Sequence, residues 1–339
     1  MTDPSNLLVI VTGEAIRQNT TGNGEMHLSV NTLELLISLS SRIRGCINPI
    51  VVDLGCSSGT ELTFETISKV KDAILENSQS SNIYSVVLVV GTDIIEEAAF
   101  CLDLYLRNWL VEKKVSLVIT GSMKPADILG YEGFSTIKGA IQIALEKWSK
   151  ATGVLVCINN DIHSALYITK GDSQVSFKSV PTGPVGQIHR GTPRYHHSIS
   201  YLLPSIHDPS FLHVNQEALS KKRVVIWTVT MSTFIPEQLL ENVDGLILAT
   251  PSTGSISDSL IEKLSPTWTN QIPIVIVSRC FSGHNFDDQY YRESKARYTG
   301  RNFIFENGYE ELNALQARNL LIFQLAAGYY SPNPQILTS

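Results

Sequence analysis

Cysteine is scarce in this chain and unpaired in its pattern. Cys46, Cys56, Cys101, Cys157 and Cys280 are five in 339 residues, an odd number with no C-x-x-C among them. That argues against a disulfide framework and fits a reducing compartment, so the cytoplasm is the expected location. Long apolar runs are missing too, since no stretch reaches the ~20 residues that span a bilayer. Leu7–Val11 is too short for a secretory core and no basic segment precedes it, so no signal peptide is expected. Positive charge is not in excess. Lys and Arg total 26 against 32 Asp and Glu, a formal net charge of -6, which argues against a nucleic-acid partner. The run Lys221–Arg223 precedes an apolar segment and reads as a solvated strand edge. His189, His196 and His197 show no H-x-x-x-H spacing, and no glycine-rich phosphate loop follows a strand. Neither a metal site nor a nucleotide is expected, and no cofactor is implied.

What is present is a set of short, continuously apolar, β-branched runs separated by helical periods. They are Leu7–Val11, Pro49–Leu54, Tyr84–Val90, Val115–Ile119, Val154–Ile158, Val224–Trp227, Gly245–Leu248 and Ile272–Val277. Runs without alternation read as strands buried on both faces, the mark of a parallel sheet covered by helices. Between them, Ile94–Leu110 places Ile95, Ala98, Ala99, Leu102 and Leu106 on one helical face. The polar cluster Asn77–Asn82 reads as a surface loop. Pro181, Pro184, Pro193, Pro204 and Pro209 mark an aperiodic stretch between the two groups of strands. The expectation is an α/β protein with a larger N-terminal domain, a mostly parallel sheet covered by helices, over residues 1–190. An irregular linker over 191–221 and a smaller flavodoxin-like α/β domain over 222–339 follow.

In open α/β sheets, ligands collect beyond the carboxyl ends of the strands. Four runs end on Thr12-Gly13-Glu14, Gly55-Cys56-Ser57-Ser58, Gly91-Thr92-Asp93 and Thr120-Gly121-Ser122-Met123-Lys124-Pro125. Hydroxyls, main-chain amides and carboxylates are therefore brought toward a common region. The same residue types also serve turns and helix caps, and Thr92 with Asp93 before Ile94–Glu97 has the form of a cap with first-turn acids.

Val90–Ala99 resembles the second signature of bacterial-type L-asparaginases, Gly-Thr-Asp-Thr followed by a Glu-Glu helix. Thr120–Pro125 is similar to that family's Gly-Ala-Met-Arg-Pro segment. Gly153–Val156, Asn160–Ala165 and Thr169-Lys170 resemble the part that carries its lysine, and Phe177–Ser179 and Gly183–Gly186 follow in order. The resemblance is strongest over residues 85 to 190. It implies hydrolysis of a side-chain amide to an acid and ammonia through an acyl-enzyme. It makes Thr12 the nucleophile, and Thr92 with Lys170 the proton-handling set. Asp93 would hold a substrate α-ammonium, Ser57 and Ser58 its α-carboxylate, and Gly91 and Ser122 would line the amide. A homodimer or homotetramer is also implied.

The first signature departs from the family pattern. Where the family has Thr-Gly-Gly-Thr-Ile, this chain has Thr12-Gly13-Glu14-Ala15-Ile16. Glu14 adds charge beside the expected nucleophile and would select a different amide, act as a base, or point to solvent. The family's lid tyrosine has no counterpart before Tyr84. Met26 or His27 falls near its place, and His27 is a candidate base near neutral pH. Three functions fit these residues: an asparaginase-like amidohydrolase, a specialised enzyme acting on a modified asparagine or larger amide, and a non-catalytic binding homologue.

Overall fold

Each residue from Leu7 to Val11 is buried, as a strand covered on both faces requires. In this computed structural model they form the centre of β1 (Asn6–Gly13). The structure describes residues 6–13, 18–20, 26–28, 49–57, 59–125, 128–197, 206–264, 272–283, 298 and 303–330. The chain divides into two units, 1–202 and 203–339.

The N-terminal unit is built on an eight-stranded sheet. After β1 come the short antiparallel pair β2 (Gln18–Thr20) and β3 (Met26–Leu28), then β4 (Ile50–Ser57), β5 (Ile83–Val89), β6 (Ser116–Thr120) and β7 (Val154–Ile158). Next are β8 (Asp161–Ser164), β9 (Ile168–Lys170), β10 (Phe177–Ser179), β11 (Gly186–His189) and β12 (Thr192–Tyr195). The sheet order is β12-β11-β8-β7-β6-β5-β1-β4. The pairs from β4 through β7 are parallel, and the three outer pairs from β7 to β12 are antiparallel. The chain moves from β1 outward to β4 and then back to the other side of β1, so β1 and β5 flank the point where strand order reverses.

Two tight hairpins make the antiparallel edge. Ile158 pairs with Asp161 and His189 with Thr192, leaving the two-residue loops Asn159-Asn160 and Arg190-Gly191. All four loop residues have positive φ, the mirror-image turn whose twist matches flanking strands. Thr192–Tyr195 falls inside the stretch expected to be irregular, as does a helix at 216–220, given below.

Helix α1 (Phe64–Ser81) is capped by the Thr63 hydroxyl, which accepts from the Thr66 amide. It runs through most of the segment expected to be a loop. The Asn77 amide donates to the Ala73 carbonyl at 2.8 Å and the Ser80 hydroxyl to the Glu76 carbonyl at 3.2 Å, so these polar side chains bond back onto the helix itself. Asn82 ends the helix in the left-handed conformation. Helix α2 (Ile95–Lys113) buries the anticipated face and also Phe100, Asp103, Leu104 and Arg107, because it packs against both α1 and β7. Arg107 and Asp103 are fully enclosed. The guanidinium donates to Asp103 Oδ2 at 2.7 and 3.1 Å and to the Thr152 carbonyl at 2.7 Å, while Asp103 Oδ1 accepts from the Val154 amide at 2.8 Å. Helix α3 (Gly133–Leu145) lays Ile137, Ala140, Ile141 and Ala144 on the core containing Val9, Val87 and Val118.

In the C-terminal unit, β13 (Val224–Thr228), β14 (Gly245–Thr250), β15 (Ile274–Ser278) and β16 (Phe303–Ile304) form one parallel sheet in chain order. Short helices α4 (Gln216–Ser220), α5 (Glu237–Leu240) and α6 (Asp258–Lys263) precede the longer α7 (Ala314–Ala326). Asn313 and Gln316 start α7 with a reciprocal capping box. Leu246, Leu248, Ile274, Ile276 and Tyr298 centre the core of this unit. Among the described residues no helix is long and apolar enough to cross a membrane.

Candidate active site

Thr12 lies on β1 where the pairing with β4 loses register. Val11 pairs with Asp53, but Gly13 pairs with Ser57. Such irregularities turn a side chain away from the ladder. Thr12 is 1% exposed, and its Oγ1 has no hydrogen-bond partner among the described residues. A buried, unsatisfied hydroxyl costs about 1–3 kcal/mol, so a fold keeps one where it has a use.

The neighbouring strand β5 runs out into Val90, Gly91, Thr92 and Asp93. Gly91 and Thr92 are buried and Asp93 is exposed. The cap position of α2 falls on Ile94 and carries no side-chain hydrogen bond. The cap position thus falls on neither Thr92 nor Asp93, the ordinary role the sequence leaves open to them.

The end of β6 closes onto this loop. The Val90 amide donates to the Thr120 carbonyl at 2.9 Å, and the Thr120 hydroxyl reaches the Cys157 carbonyl at 2.8 Å. A Cβ on Gly121 would lie 2.5 Å from the Val90 carbonyl oxygen and 2.8 Å from Thr92 Cγ2, so only glycine permits this approach. Ser122 is buried, with its hydroxyl 2.6 Å from the Lys124 carbonyl and 3.2 Å from Glu132 Oε1. Glu132 Oε1 also accepts from the Met123 amide. The Ser122 side chain is therefore spent on shaping its own loop, leaving the main chain as the part available to a ligand.

Lys170 arrives from β9, which pairs with β10 in a hairpin outside the main sheet. Its Nζ stands 3.4 Å from the carbonyl oxygen of Thr92 and 3.7 Å from Asp93 Oδ1, over the Phe177 ring at 5.8 Å. The side chain is only 19% exposed. The hydrogen bond of the ammonium goes to the main chain of Thr92 rather than to its hydroxyl. The Lys170 amide donates to Glu96 Oε2 at 2.7 Å. Burial raises the Glu96 carboxyl above its usual range, opposed by the Thr169 hydroxyl and the Lys170 amide, which hydrogen-bond to it. Glu96 was absent from the residues singled out in the sequence. In the sequence it stood only within the Glu-Glu part of the resembled signature, with no role of its own.

The structure thus brings Thr92, Asp93 and Lys170 into contact and places Gly121 against Thr92. Thr12 stands on the strand next to β5, with Val11 paired to Val89. Ser57 is placed as the main-chain partner of Gly13, and His27 as the partner of Asn19 in the β2–β3 pair. Glu14 and Ser58 lie outside the described residues. Among the described residues no three His, Cys, Asp or Glu side chains are grouped to hold a metal ion.

A buried threonine hydroxyl, a second threonine and a lysine–aspartate pair thus lie at the reversal point of a parallel sheet, where α/β proteins bind their ligands. Comparison with known proteins makes this specific. Residues 6–201 match the family model described as "Asparaginase, N-terminal", and residues 223–335 match the "Glutaminase/Asparaginase C-terminal domain". The chain belongs to the asparaginase family, a family of amidohydrolases. It is 24% identical to L-asparaginase 2 of Bacillus subtilis over 329 residues, 95% of this chain and 83% of that one. A probable L-asparaginase of Deinococcus radiodurans is 31% identical over 209 residues, 59% of this chain and 58% of that protein. The crystal structure of a probable cytoplasmic L-asparaginase from Campylobacter jejuni shares the fold. It has a TM-score of 0.75 at 21% identity and 95% coverage of both chains.

Proposed function

We propose that this enzyme hydrolyses the side-chain amide of asparagine or a closely related small amide, with Thr12 as nucleophile. The observation that carries the reading is the buried hydroxyl of Thr12, without a hydrogen-bond partner among the described residues, on the strand beside the Thr92–Asp93–Lys170 cluster. Thr12 Oγ1 attacks the amide carbon and its proton passes to the set formed by Thr92 and Lys170. The carbon–nitrogen bond then breaks, and nitrogen leaves as ammonia after taking up a proton. Water, activated by the same set, cleaves the resulting ester and restores Thr12. Asp93, half exposed beside the ammonium of Lys170, is suited to hold the substrate's own α-ammonium. Gly91 and the main chain of Ser122 line the amide, and Ser57 and Ser58 take the α-carboxylate. Glu14 and His27 modulate the choice of amide from the altered first signature. The similar proteins are asparaginases and glutaminase-asparaginases, which favours this reading over a larger specialised substrate or a non-catalytic role.

A homo-oligomer is the working assembly, by likeness to the family. A reducing compartment is the working location, in keeping with five cysteines, an odd number with no C-x-x-C pair. Ammonia release from L-asparagine and L-glutamine tests the function directly. Release above background from either supports it, and silence with both at high enzyme concentration refutes it.

A further inference from the structure

We infer that Glu96 is a positioning residue that fixes Lys170 for catalysis by standing in for the strand that β9 lacks. The hairpin of β9 and β10 is separate from the eight-stranded sheet, and among the described residues no strand lies on the outer edge of β9 to accept its amides. Lys170 turns its main-chain N–H to that open edge, and Glu96 Oε2 receives it at 2.7 Å. The Thr169 hydroxyl binds the same carboxylate. Two adjacent residues of β9 are thereby tied to the first turn of α2, the turn that immediately follows Thr92 and Asp93. The lysine head group meets the same segment from the other direction, at the Thr92 carbonyl and Asp93 Oδ1. Glu96 therefore sets the distance between the strand bearing the lysine and the loop bearing the second threonine.

Two ordinary explanations of Glu96 do less well. A first-turn acid that merely complements the helix dipole would be solvated, whereas this carboxylate is partly buried and spent on a strand 74 residues away. A surface ion pair does not account for it either, since the direct bond is to the Lys170 backbone. The groups facing Glu96 are Glu97 on its own helix and Thr169 and Lys170 on β9.

The inference rests on Lys170 handling protons, and the test separates the two ideas. Steady-state kinetics on the full-length enzyme would compare Glu96→Ala, Glu96→Gln, Thr169→Val and Lys170→Met. Glutamine keeps an oxygen for the Lys170 amide and a polar group for Thr169, whereas alanine keeps neither. Glu96→Ala is expected to lower kcat by about tenfold to a hundredfold while KM moves less than about threefold, the pattern of a misplaced catalytic group. Glu96→Gln should recover to within about threefold of wild type, and Thr169→Val should lose kcat several-fold with KM unchanged. The inference is overturned if Glu96→Ala keeps wild-type kcat, if alanine and glutamine lose it equally, or if KM rises in step. Should Glu96→Ala not fold, wild-type kcat in Thr169→Val overturns it instead. Wild-type turnover in Lys170→Met would instead sink the role of the lysine.

Discussion

Lys170 reaches across 78 residues of sequence to place its Nζ 3.4 Å from the carbonyl oxygen of Thr92. The same ammonium lies 3.7 Å from Asp93, so one cation faces two consecutive residues of the β5–α2 loop. This is the contact that turns two separate sequence motifs into one chemical unit. Replacing Lys170 by methionine removes the ammonium that lies over the Phe177 ring and, on the proposed reading, the proton carrier. Turnover is expected to fall by about 10²–10⁴-fold, with melting temperature within a few degrees of wild type. Measured ammonia release and thermal unfolding on the same preparation check both halves.

Gly121→Ala tests how closely the ends of β5 and β6 must approach. The added methyl would sit 2.5 Å from the Val90 carbonyl oxygen, where backbone has to move, and 2.8 Å from Thr92 Cγ2. A shift of Thr92 by even part of an ångström is expected to reduce kcat by at least about tenfold. Unfolding should lose about 1–3 kcal/mol, as for other overpacked sites. Wild-type kcat in a folded Gly121→Ala enzyme would show that Thr92 needs no such placement.

The buried pair Asp103–Arg107 ties α2 to β7, and its loss is expected to be felt in stability. In Asp103→Ala the guanidinium of Arg107 stays enclosed with no carboxylate, which costs about 3–5 kcal/mol. Lys221 and Glu217 lie 2.6 Å apart, but both side chains are more than 70% exposed, and Glu217→Ala should leave stability close to wild type. Denaturant unfolding of the two variants gives the comparison. Equal effects would contradict the structural role of the buried pair.

His163 supplies a signed pH dependence. Burial pushes its pKa down from 6.5 to about 4, and the ring shares a 2.7 Å hydrogen bond with Ser179. The unfolded chain takes up a proton near pH 6.5 that the folded chain refuses until about pH 4. Stability is therefore complete above this window and falls as pH drops through it. Between pH 7 and pH 5 this group should remove about 2 kcal/mol. The raised carboxyl of Glu96 works in the opposite sense, so the measured quantity is the difference in slope between wild type and His163→Gln. A steep loss on acidification that His163→Gln leaves unchanged would assign it to other groups.

The buried strands were legible because a strand covered on both faces must be apolar at every position, as Val154–Ile158 is. Polar, short strands carry no such mark. Asp161–Ser164, Ile168–Lys170 and Thr192–Tyr195 are three or four residues each and are strands only because tight turns fold them onto neighbours. The Asn77–Asn82 cluster misleads for the converse reason, since Asn and Ser side chains can bond back to helix carbonyls as well as to turns. In the candidate site, Thr12, Thr92, Asp93 and Lys170 stood out because they close strands or sit in ordered motifs. Glu96 lies within one of those motifs but was given no role, because its meaning depends on the amide of a residue 74 positions away. The unsatisfied hydroxyl of Thr12 is likewise a property of packing alone.

The covalent step is open to direct observation. Enzyme and L-asparagine would be mixed, quenched in acid within the first turnovers, digested, and the peptide containing Thr12 weighed by mass spectrometry. The account predicts an aspartyl adduct on that peptide in the wild type and none in Thr12→Ala, which should also release no ammonia above background. Ammonia released by Thr12→Ala at the wild-type rate, or an adduct on a peptide that lacks Thr12, would contradict it.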